Sequence, residues 1–228
     1  MTGFSVEWDK CFSENTHMSL WPWSDVVSLV NRFCRPLLSN GGGAGKVLEM
    51  GCGAGANIPF FKALGLNYKA IEGSATIVDM LHRRYPDLVD GIFCGDFTLL
   101  HPIDNDFDLV LDRGAITHNN TSSIMDALRI VFDSLKEGGL FIGVDWYSTK
   151  HTDIDFGILV DDDFTRTDIS QGQFEGVGKV HFSDERHIRE LFRNFEILFL
   201  EEKISNRYEP QDSHQFASWN IVARKGSV

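Results

Sequence analysis

The stretch that decides the fold is Lys46-Val47-Leu48-Glu49-Met50-Gly51-Cys52-Gly53-Ala54-Gly55. Its first half is mostly apolar, which predicts a short buried strand. Its second half has glycine at every second position, so the backbone can approach a ligand closely and the next helix can aim its N-terminal amides at an anion. Gly51, Gly53 and Ala56 also satisfy the G-x-G-x-x-G/A fingerprint, so the turn alone does not choose between a dinucleotide and another nucleoside ligand.

Short apolar runs alternate with segments of helical periodicity from Lys46 onward, which is typical of βα units that build a parallel sheet. The last two runs, residues 196–204 and 216–223, have no helix between them and predict an antiparallel hairpin. We therefore expect an α/β fold, a Rossmann-like three-layer sandwich whose seven-stranded, mostly parallel sheet ends in that hairpin. The first five predicted strands are residues 47–50, 68–71, 91–94, 107–111 and 140–145.

Capping signals and helical periodicity place the later helices. Ser74 can cap a helix that Pro86 stops. A second helix is expected from about Thr121 until Gly138-Gly139 ends it. Ser183 is expected to open a third, because acidic residues in the following turn complement the helix dipole.

The chain is expected to form a single domain over residues 1–228, with two additions to the alternating core. Residues 1–45 are predicted to be a helical cap segment, with a helix from Ser24 to about Arg35 and a glycine-rich linker over residues 41–45. Residues 147–182 fit the alternation poorly, and we expect them to form a lid over the substrate. The acidic run Asp161-Asp162-Asp163 in this segment is expected to be a solvated loop.

The composition excludes several classes of function. A formal net charge of -12 repels polyanions, so a nucleic-acid substrate is disfavoured. No apolar run approaches the length of about 18 residues that a membrane span needs, and the N-terminus lacks a signal-peptide pattern, so we expect a cytoplasmic protein without a membrane partner. The four cysteines show neither a CxxC pair nor a spacing to histidine typical of zinc sites, so no metal is expected.

After the glycine turn, Glu72 is the second feature that indicates a nucleoside-binding site. It ends the second predicted strand, 17 residues after Gly55, where a carboxylate can accept hydrogen bonds from both ribose hydroxyls. A nicotinamide cofactor would use the same group, so Glu72 does not identify the ligand.

Three later runs carry a family resemblance: Cys94-Gly95-Asp96-Phe97, residues 107–112 and residues 135–141. In order and spacing, these runs and the glycine turn resemble the class I S-adenosylmethionine-dependent methyltransferases over residues 46–145. The resemblance implies that S-adenosylmethionine is bound and S-adenosylhomocysteine is the product. It places the methionine part at the glycine turn, the ribose at Glu72 and the adenine at Asp96 and Phe97. The cofactor-binding residues that it implies are Glu49, Gly51, Gly53, Gly55, Asn57, Glu72, Gly73, Ser74, Asp96, Phe97, Asp112 and Arg113, with Trp23 or His17 from the N-terminal segment.

The run Asp112-Arg113-Gly114 follows the fourth strand and is expected to border the reacting methyl group. It departs from the Asn/Asp-Pro-Pro-Tyr/Phe pattern of methyltransferases that act on nucleobase or amide nitrogens, which disfavours DNA, RNA and glutamine side chains as acceptors. We expect a small-molecule acceptor methylated on oxygen or nitrogen, and carbon and sulfur remain open as acceptor atoms. His118 is the candidate base, since a histidine suits proton acceptance near neutral pH. Asp145 and His151 are weaker candidates for that role.

Two other functions remain open from the sequence. A nicotinamide-dependent oxidoreductase would share the glycine turn and Glu72, but it does not explain Asp96-Phe97 or the terminal hairpin. A non-catalytic protein of this fold that binds a cofactor or a partner protein is the other, because a binding site does not establish turnover.

Overall fold

A seven-stranded sheet forms the centre of the computed structural model, which describes residues 6–14, 16, 18–35, 45–99 and 104–226. All seven predicted strands are present. A second sheet of three short strands, β6 to β8, lies within residues 147–182. The strands are β1 (Lys46–Met50), β2 (Asn67–Glu72), β3 (Ile92–Cys94), β4 (Phe107–Arg113), β5 (Leu135–Tyr147), β6 (Ile158–Leu159), β7 (Thr165–Thr167), β8 (Val180–His181), β9 (Phe195–Asn206) and β10 (Gln215–Lys225).

The order of the main sheet in space is β3-β2-β1-β4-β5-β10-β9. Strands β1 to β5 pair in parallel, whereas β10 is antiparallel to both β5 and β9. The predicted fold, including its terminal hairpin, is therefore confirmed. Since the chain runs outward from β1 to one edge and returns to start β4 on the other side, the carboxyl ends of β1 and β4 flank the crevice where ligands bind in doubly wound sheets.

Helices cover both faces of the sheet, which produces three layers. In β1, Val47 packs into one buried cluster, while Leu48 and Met50 pack into the other. This alternation follows from the two-residue period of a strand, and each such buried side chain contributes about 2 kcal/mol. The helices are α1 (Val6–Ser13), α2 (Ser24–Leu29, continued as a π turn over Val30–Cys34), α3 (Ile58–Ala63), α4 (Ala75–Arg84), α5 (Thr121–Ser134) and α6 (Glu185–Leu191).

The start of α4 is confirmed, because Ser74 accepts a hydrogen bond from the backbone N–H of Ile77. Two other predicted helix boundaries are wrong. Helix α5 ends at Ser134 and not at Gly138, because Leu135 is already extended and pairs with Phe107 as the start of β5. Asp184 and not Ser183 caps α6, since the backbone of Ser183 continues the pairing with the end of β5.

Residues 147–182 form an ordered unit with its own small core. The buried side chains of this core include Ile169, Phe174 and Phe182, which pack with Tyr147 at the end of β5. Asp162 accepts the backbone N–H of Thr121, the first residue of α5, at 2.8 Å. The acidic run therefore ties this segment to a helix terminus.

Residues 41–44 of the predicted linker and His17 lie outside the described residues. Among the helices that the structure describes, none combines the length and apolar character needed to cross a membrane.

Candidate active site

A cavity of about 340 Å³ lies at the carboxyl ends of the central strands. Its floor is the glycine turn after β1 and the end of β4. The N-terminal segment contributes the side of the cavity away from the sheet, through Trp8 and Phe12 of α1 and through Ser19 and Trp23 before α2. Of the predicted site residues, those that line the cavity are Trp23, Glu49, Gly51, Gly53, Asn57, Glu72, Gly73, Asp96, Phe97, Arg113 and His118.

The glycines of the turn have two different tasks. Gly51 adopts φ +69°, and a Cβ there would lie 2.3 Å from the Cβ of Ala115, so β1 and the loop after β4 approach as closely as only glycine allows. Gly55 does not line the cavity. A Cβ on Gly55 would meet Leu81 and Ile58 at 2.7 and 2.8 Å, so this glycine lets α4 pack against the turn.

Glu72 is held in place by two backbone amides. Its Oε2 accepts the N–H of Gly53 at 2.8 Å, and its Oε1 accepts the N–H of Ser74 at 2.9 Å. The side chain is buried, and burial raises the pKa of its carboxyl above the ordinary value. The carboxylate therefore faces the cavity in a fixed orientation, as a ligand for hydroxyl groups would have to be.

Glu49 forms a buried polar group with Asn57 and Tyr68. It accepts hydrogen bonds from Asn57 Nδ2 at 2.7 Å and from the Tyr68 hydroxyl at 2.6 Å. Burial, with Asp112 and Glu72 nearby, raises the pKa of Glu49 to about 7. Among the described residues, the buried Oδ1 of Asn57 has no hydrogen-bond partner. An acceptor in this state beside a cavity favours a ligand that donates a hydrogen bond.

Asp96 and Phe97 lie on the loop after β3. Asp96 Oδ1 accepts hydrogen bonds from the N–H and hydroxyl of Thr98, at 2.9 and 2.7 Å, which fixes the carboxylate at the cavity wall. The ring of Phe97 lies 3.5 Å from the position that a Cβ on Gly51 would take.

Asp112 and Ser74 are placed behind the cavity wall. Asp112 is fully buried and accepts hydrogen bonds from Trp146 Nε1 at 2.7 Å and from the N–H groups of Ala115 and Ile116 at 3.1 and 3.0 Å. Ser74 caps α4 and donates to Asp9 of α1. Both residues support the cavity through their neighbours and do not border it.

Arg113 stacks on Trp23 and pairs with Asp145. The guanidinium carbon lies 3.7 Å from the centre of the indole, and Nη2 lies 2.9 Å from Asp145 Oδ2. Asp145 also accepts a hydrogen bond from the Ser218 hydroxyl, so its carboxylate is engaged behind the cavity. It does not line the cavity, which argues against a role as base.

His118 lines the cavity, and one of its ring nitrogens is hydrogen-bonded to the backbone. The Nδ1 lies 3.0 Å from the carbonyl oxygen of Lys179, so it carries the proton and leaves Nε2 as the acceptor nitrogen. The ring packs edge-on against Trp8 at 4.8 Å. The weaker candidate His151 is buried outside the cavity, where its Nδ1 accepts the N–H of Asp153 at 3.1 Å.

Several cavity residues were not predicted from the sequence. Trp8 and Phe12 are spaced four apart, and this spacing could have predicted an aromatic face on α1. Tyr147 ends β5, two residues beyond the predicted strand, and a strand end is the usual position of a site residue in this fold class. Asn119 and Gln173 lie in loops, and no sequence pattern marks them.

Residues 47–139 match the family model described as a methyltransferase domain. The match covers the part of the chain that resembles the class I S-adenosylmethionine-dependent methyltransferases, and the fold around it is that of solved S-adenosylmethionine-dependent methyltransferases. This confirms the predicted resemblance and, with it, S-adenosylmethionine as the cofactor of the family. No curated protein matches the sequence significantly.

The fold of this chain is similar to that of many solved structures. A SAM-dependent methyltransferase from Methanosarcina mazei is 15% identical with a TM-score of 0.65, over 80% of this chain and 93% of that one. The N-methyltransferase NodS from Bradyrhizobium japonicum, solved with S-adenosyl-l-homocysteine, is 13% identical with a TM-score of 0.62, over 98% and 100%. The [4+2]-cyclase SpnF is 16% identical with a TM-score of 0.62, over 98% and 95%. At these identities the likeness concerns the fold alone.

The residues present fit this cofactor. Glu49, Glu72 and Asp96 surround one part of the cavity with carboxyl groups, and a sulfonium is a cation. The Oδ1 of Asn57 is a buried acceptor of the kind that an ammonium group requires. The lack of a Cβ on Gly51 lets the loop after β4 lie directly against the glycine turn that borders the cavity.

Proposed function

We propose that this methyltransferase transfers the methyl group of S-adenosylmethionine to an oxygen or nitrogen of a small molecule. The observation that carries the proposal is that one cavity joins two unlike halves. Glu49, Gly51, Glu72 and Asp96 lie over β1 to β3, whereas Arg113, His118 and Tyr147 lie over β4 and β5. The first set suits a nucleoside with a cationic sulfur, and the second suits an acceptor.

The cofactor half is proposed to act through fixed carboxylates. Glu72 would accept the ribose hydroxyls, because two backbone amides already hold it. Asp96 would accept from the adenine amino group with Phe97 beside the ring. Glu49 and Asn57 would face the methionine part, with the unsatisfied Asn57 Oδ1 accepting from its ammonium group.

The acceptor half is proposed to position a nucleophile and remove its proton. When bound, S-adenosylmethionine supplies a methyl group on a good leaving group, so positioning and exclusion of water carry most of the catalysis. His118 would take the acceptor's proton on Nε2, because its Nδ1 already donates to the Lys179 carbonyl. The rings of Trp8 and Tyr147 pack around this histidine and keep water from it.

The size of the cavity supports a small acceptor. The volume of about 340 Å³ is at the lower end of the range for a site that binds one small molecule, and the cofactor shares this cavity, so little room is left for the acceptor. The N-terminal segment and residues 147–182 both contribute to the wall, through Trp8, Trp23 and Gln173. We therefore propose that residues 1–45 act as a cap over the site and that residues 147–182 act as a substrate lid.

A binding comparison and an assay with a labelled methyl donor test the proposal. S-adenosylhomocysteine should raise the unfolding temperature, because ligand at 100 times its dissociation constant adds about 2.7 kcal/mol, and NAD should not. The purified protein should then transfer labelled methyl groups to a fraction of a metabolite extract, and the His118→Asn variant should not. Stabilisation by NAD alone contradicts the cofactor, and binding without transfer from any extract supports the non-catalytic alternative.

A further inference from the structure

Arg113 is a cation built into the cavity wall between an aromatic platform and a carboxylate. Trp23 lies under the guanidinium at 3.7 Å, and Asp145 accepts from Nη2 at 2.9 Å. Both contacts restrict the side chain, so its remaining N–H groups have fixed directions. A guanidinium held in this way is preorganised for an anion, because little side-chain entropy is lost when the anion binds.

One donor of this guanidinium is unsatisfied. Within the described part of the chain, the buried Nε of Arg113 has no hydrogen-bond partner. A buried, charged donor without a partner is costly, which points to a ligand that satisfies it. Asp145 pairs with Nη2, which carries two N–H bonds, so the Nε–H and the second N–H of Nη2 are the pair that can bind two oxygens of one carboxylate.

The backbone around Asp145 is strained in a way that favours this arrangement. Asp145 has φ +55°, although it is neither glycine nor in a turn, and it interrupts the regular pairing of β5 with β10 near Asn220. A non-glycine residue in this conformation costs about 1 kcal/mol or more, and such strain clusters at functional sites. Here it places the carboxylate beside Arg113.

The position of Arg113 indicates that its ligand is the methyl acceptor and not the cofactor. Arg113 ends β4, and its partner Asp145 is on β5, so the ion pair lies on the far side of β1 from Glu72 and Asp96. The nucleoside of the cofactor is proposed to lie on the opposite side. The cation therefore borders the same half of the cavity as His118 and Tyr147.

We propose that the methyl acceptor carries a carboxylate, that Arg113 binds this carboxylate, and that Asp145 and Trp23 are positioning residues for the guanidinium. This inference rests on the proposed function. The rings of Trp8, His118 and Tyr147 face the same half of the cavity, and such walls pack against flat apolar groups. The acceptor class is thus a planar acid with a hydroxyl or amine to be methylated.

The experiment compares acids with amides of the same shape. The probes are 4-hydroxybenzoate and 4-hydroxybenzamide, salicylate and salicylamide, and indole-3-acetate and indole-3-acetamide, each titrated against the protein saturated with S-adenosylhomocysteine. The variants are Arg113→Met and, as a control for net charge, Arg129→Met, since Arg129 is an exposed residue that pairs with Asp126 on the same helix. Quenching of tryptophan fluorescence reports binding, and calorimetry checks it.

The expected result is that at least one acid binds tenfold or more tightly than its amide. Arg113→Met should abolish this preference and change the affinity for S-adenosylhomocysteine less than threefold, while Arg129→Met should change neither. The absence of an acid preference in all three pairs overturns the proposal.

A second measurement separates the acceptor from the cofactor. 5′-Methylthioadenosine lacks the amino-acid part of the cofactor. If Arg113→Met lowers the affinity for S-adenosylhomocysteine tenfold but leaves the affinity for 5′-methylthioadenosine unchanged, Arg113 binds the amino-acid part of the cofactor and the proposal is overturned. Failure of the proposed function would look different, because the unmodified protein would then either not bind S-adenosylhomocysteine or bind it without transferring methyl groups from S-adenosylmethionine.

Discussion

The carboxylate of Glu72 accepts the backbone N–H of Gly53 at 2.8 Å, so the end of β2 is bonded to the glycine turn that follows β1. A second bond from the N–H of Ser74 connects the same carboxylate to the start of α4. Glu72 therefore organises the turn as well as facing the cavity. Its two functions can be separated by substitution.

Glu72→Gln should weaken S-adenosylhomocysteine binding tenfold or more. The amide retains one oxygen for a backbone N–H but turns its own donor toward the other, so we also expect a loss of about 1 to 3 kcal/mol of stability. Calorimetric titration and thermal unfolding measure the two effects. Glu175→Gln is the control, because Glu175 is exposed and does not line the cavity. If the two variants bind S-adenosylhomocysteine with equal affinity, Glu72 does not contact the cofactor.

Gly51→Ala should cost more stability than Gly138→Ala. Both glycines have positive φ, +69° and +75°, so an alanine pays about 1 kcal/mol at either position. Only at Gly51 does the new methyl group meet another atom, the Cβ of Ala115 at 2.3 Å, whereas at Gly138 nothing lies within 4 Å. Urea unfolding of the two variants measures the difference. Equal losses would show that the close approach of the two loops is not required.

The elements that the sequence predicted well are those with a strong local signal. The strand before Gly51 and the cap at Ser74 are each specified by a few neighbouring residues, and both are confirmed. The boundary at Gly138 was wrong because strand pairing of Leu135 with Phe107 outweighs a glycine stop signal. Pairing is a long-range contact, so local periodicity does not contain it.

The site residues also fall into those that the sequence predicted and those that depend on long-range packing. Glu72 and Asp96 follow strands, and topology brings the ends of parallel strands to one edge, so their place on the cavity followed from the sequence. The contribution of Trp8 depends on how α1 packs across the chain, through Asp9 and Ser74. The roles of Asp145 and Gln173 depend on backbone geometry that composition does not encode.

Glu49 should make the preference for S-adenosylmethionine over S-adenosylhomocysteine depend on pH. Its pKa is raised to about 7 by burial, so a bound sulfonium, which favours the ionised form, releases a proton below that pH. The ratio of the two affinities should therefore shift toward S-adenosylmethionine as the pH rises from 6 to 8. Both ligands carry the same ammonium group, so its contribution to the pH dependence cancels in the ratio of the two affinities. Glu49→Gln should abolish the dependence, and an unchanged slope would exclude Glu49.

His118→Asn should lower turnover by about a hundredfold or more while leaving S-adenosylhomocysteine affinity within threefold. Asparagine can still donate to the Lys179 carbonyl, which His118 Nδ1 contacts at 3.0 Å, but it supplies no base. Single-turnover transfer to an identified acceptor measures the effect. Full activity of this variant would mean that another group or water takes the proton.

The buried pair His181 and His187 should make the protein sensitive to acid. Their Nε2 atoms lie 3.1 Å apart, and His181 Nδ1 lies 3.1 Å from the Thr165 hydroxyl, which donates to Asp162. One Nε2 must accept, so the pair cannot be satisfied when both histidines are charged. Burial lowers the pKa of both histidines, and the charge of His187 lowers the pKa of His181 further.

A pKa below the unfolded value of about 6.5 means that the unfolded chain binds protons first as the pH falls. The stability that the neutral pair supplies is therefore complete above pH 6.5 and is lost below it, by at most about 1.4 kcal/mol per pH unit for each histidine. Urea unfolding between pH 8 and pH 5 measures this slope. His181→Asn should reduce the slope, whereas His82→Asn should not, because His82 is only partly buried on the surface of α4. The same slope in both variants would place the acid sensitivity elsewhere, because His181 is the histidine that bridges Thr165 and His187.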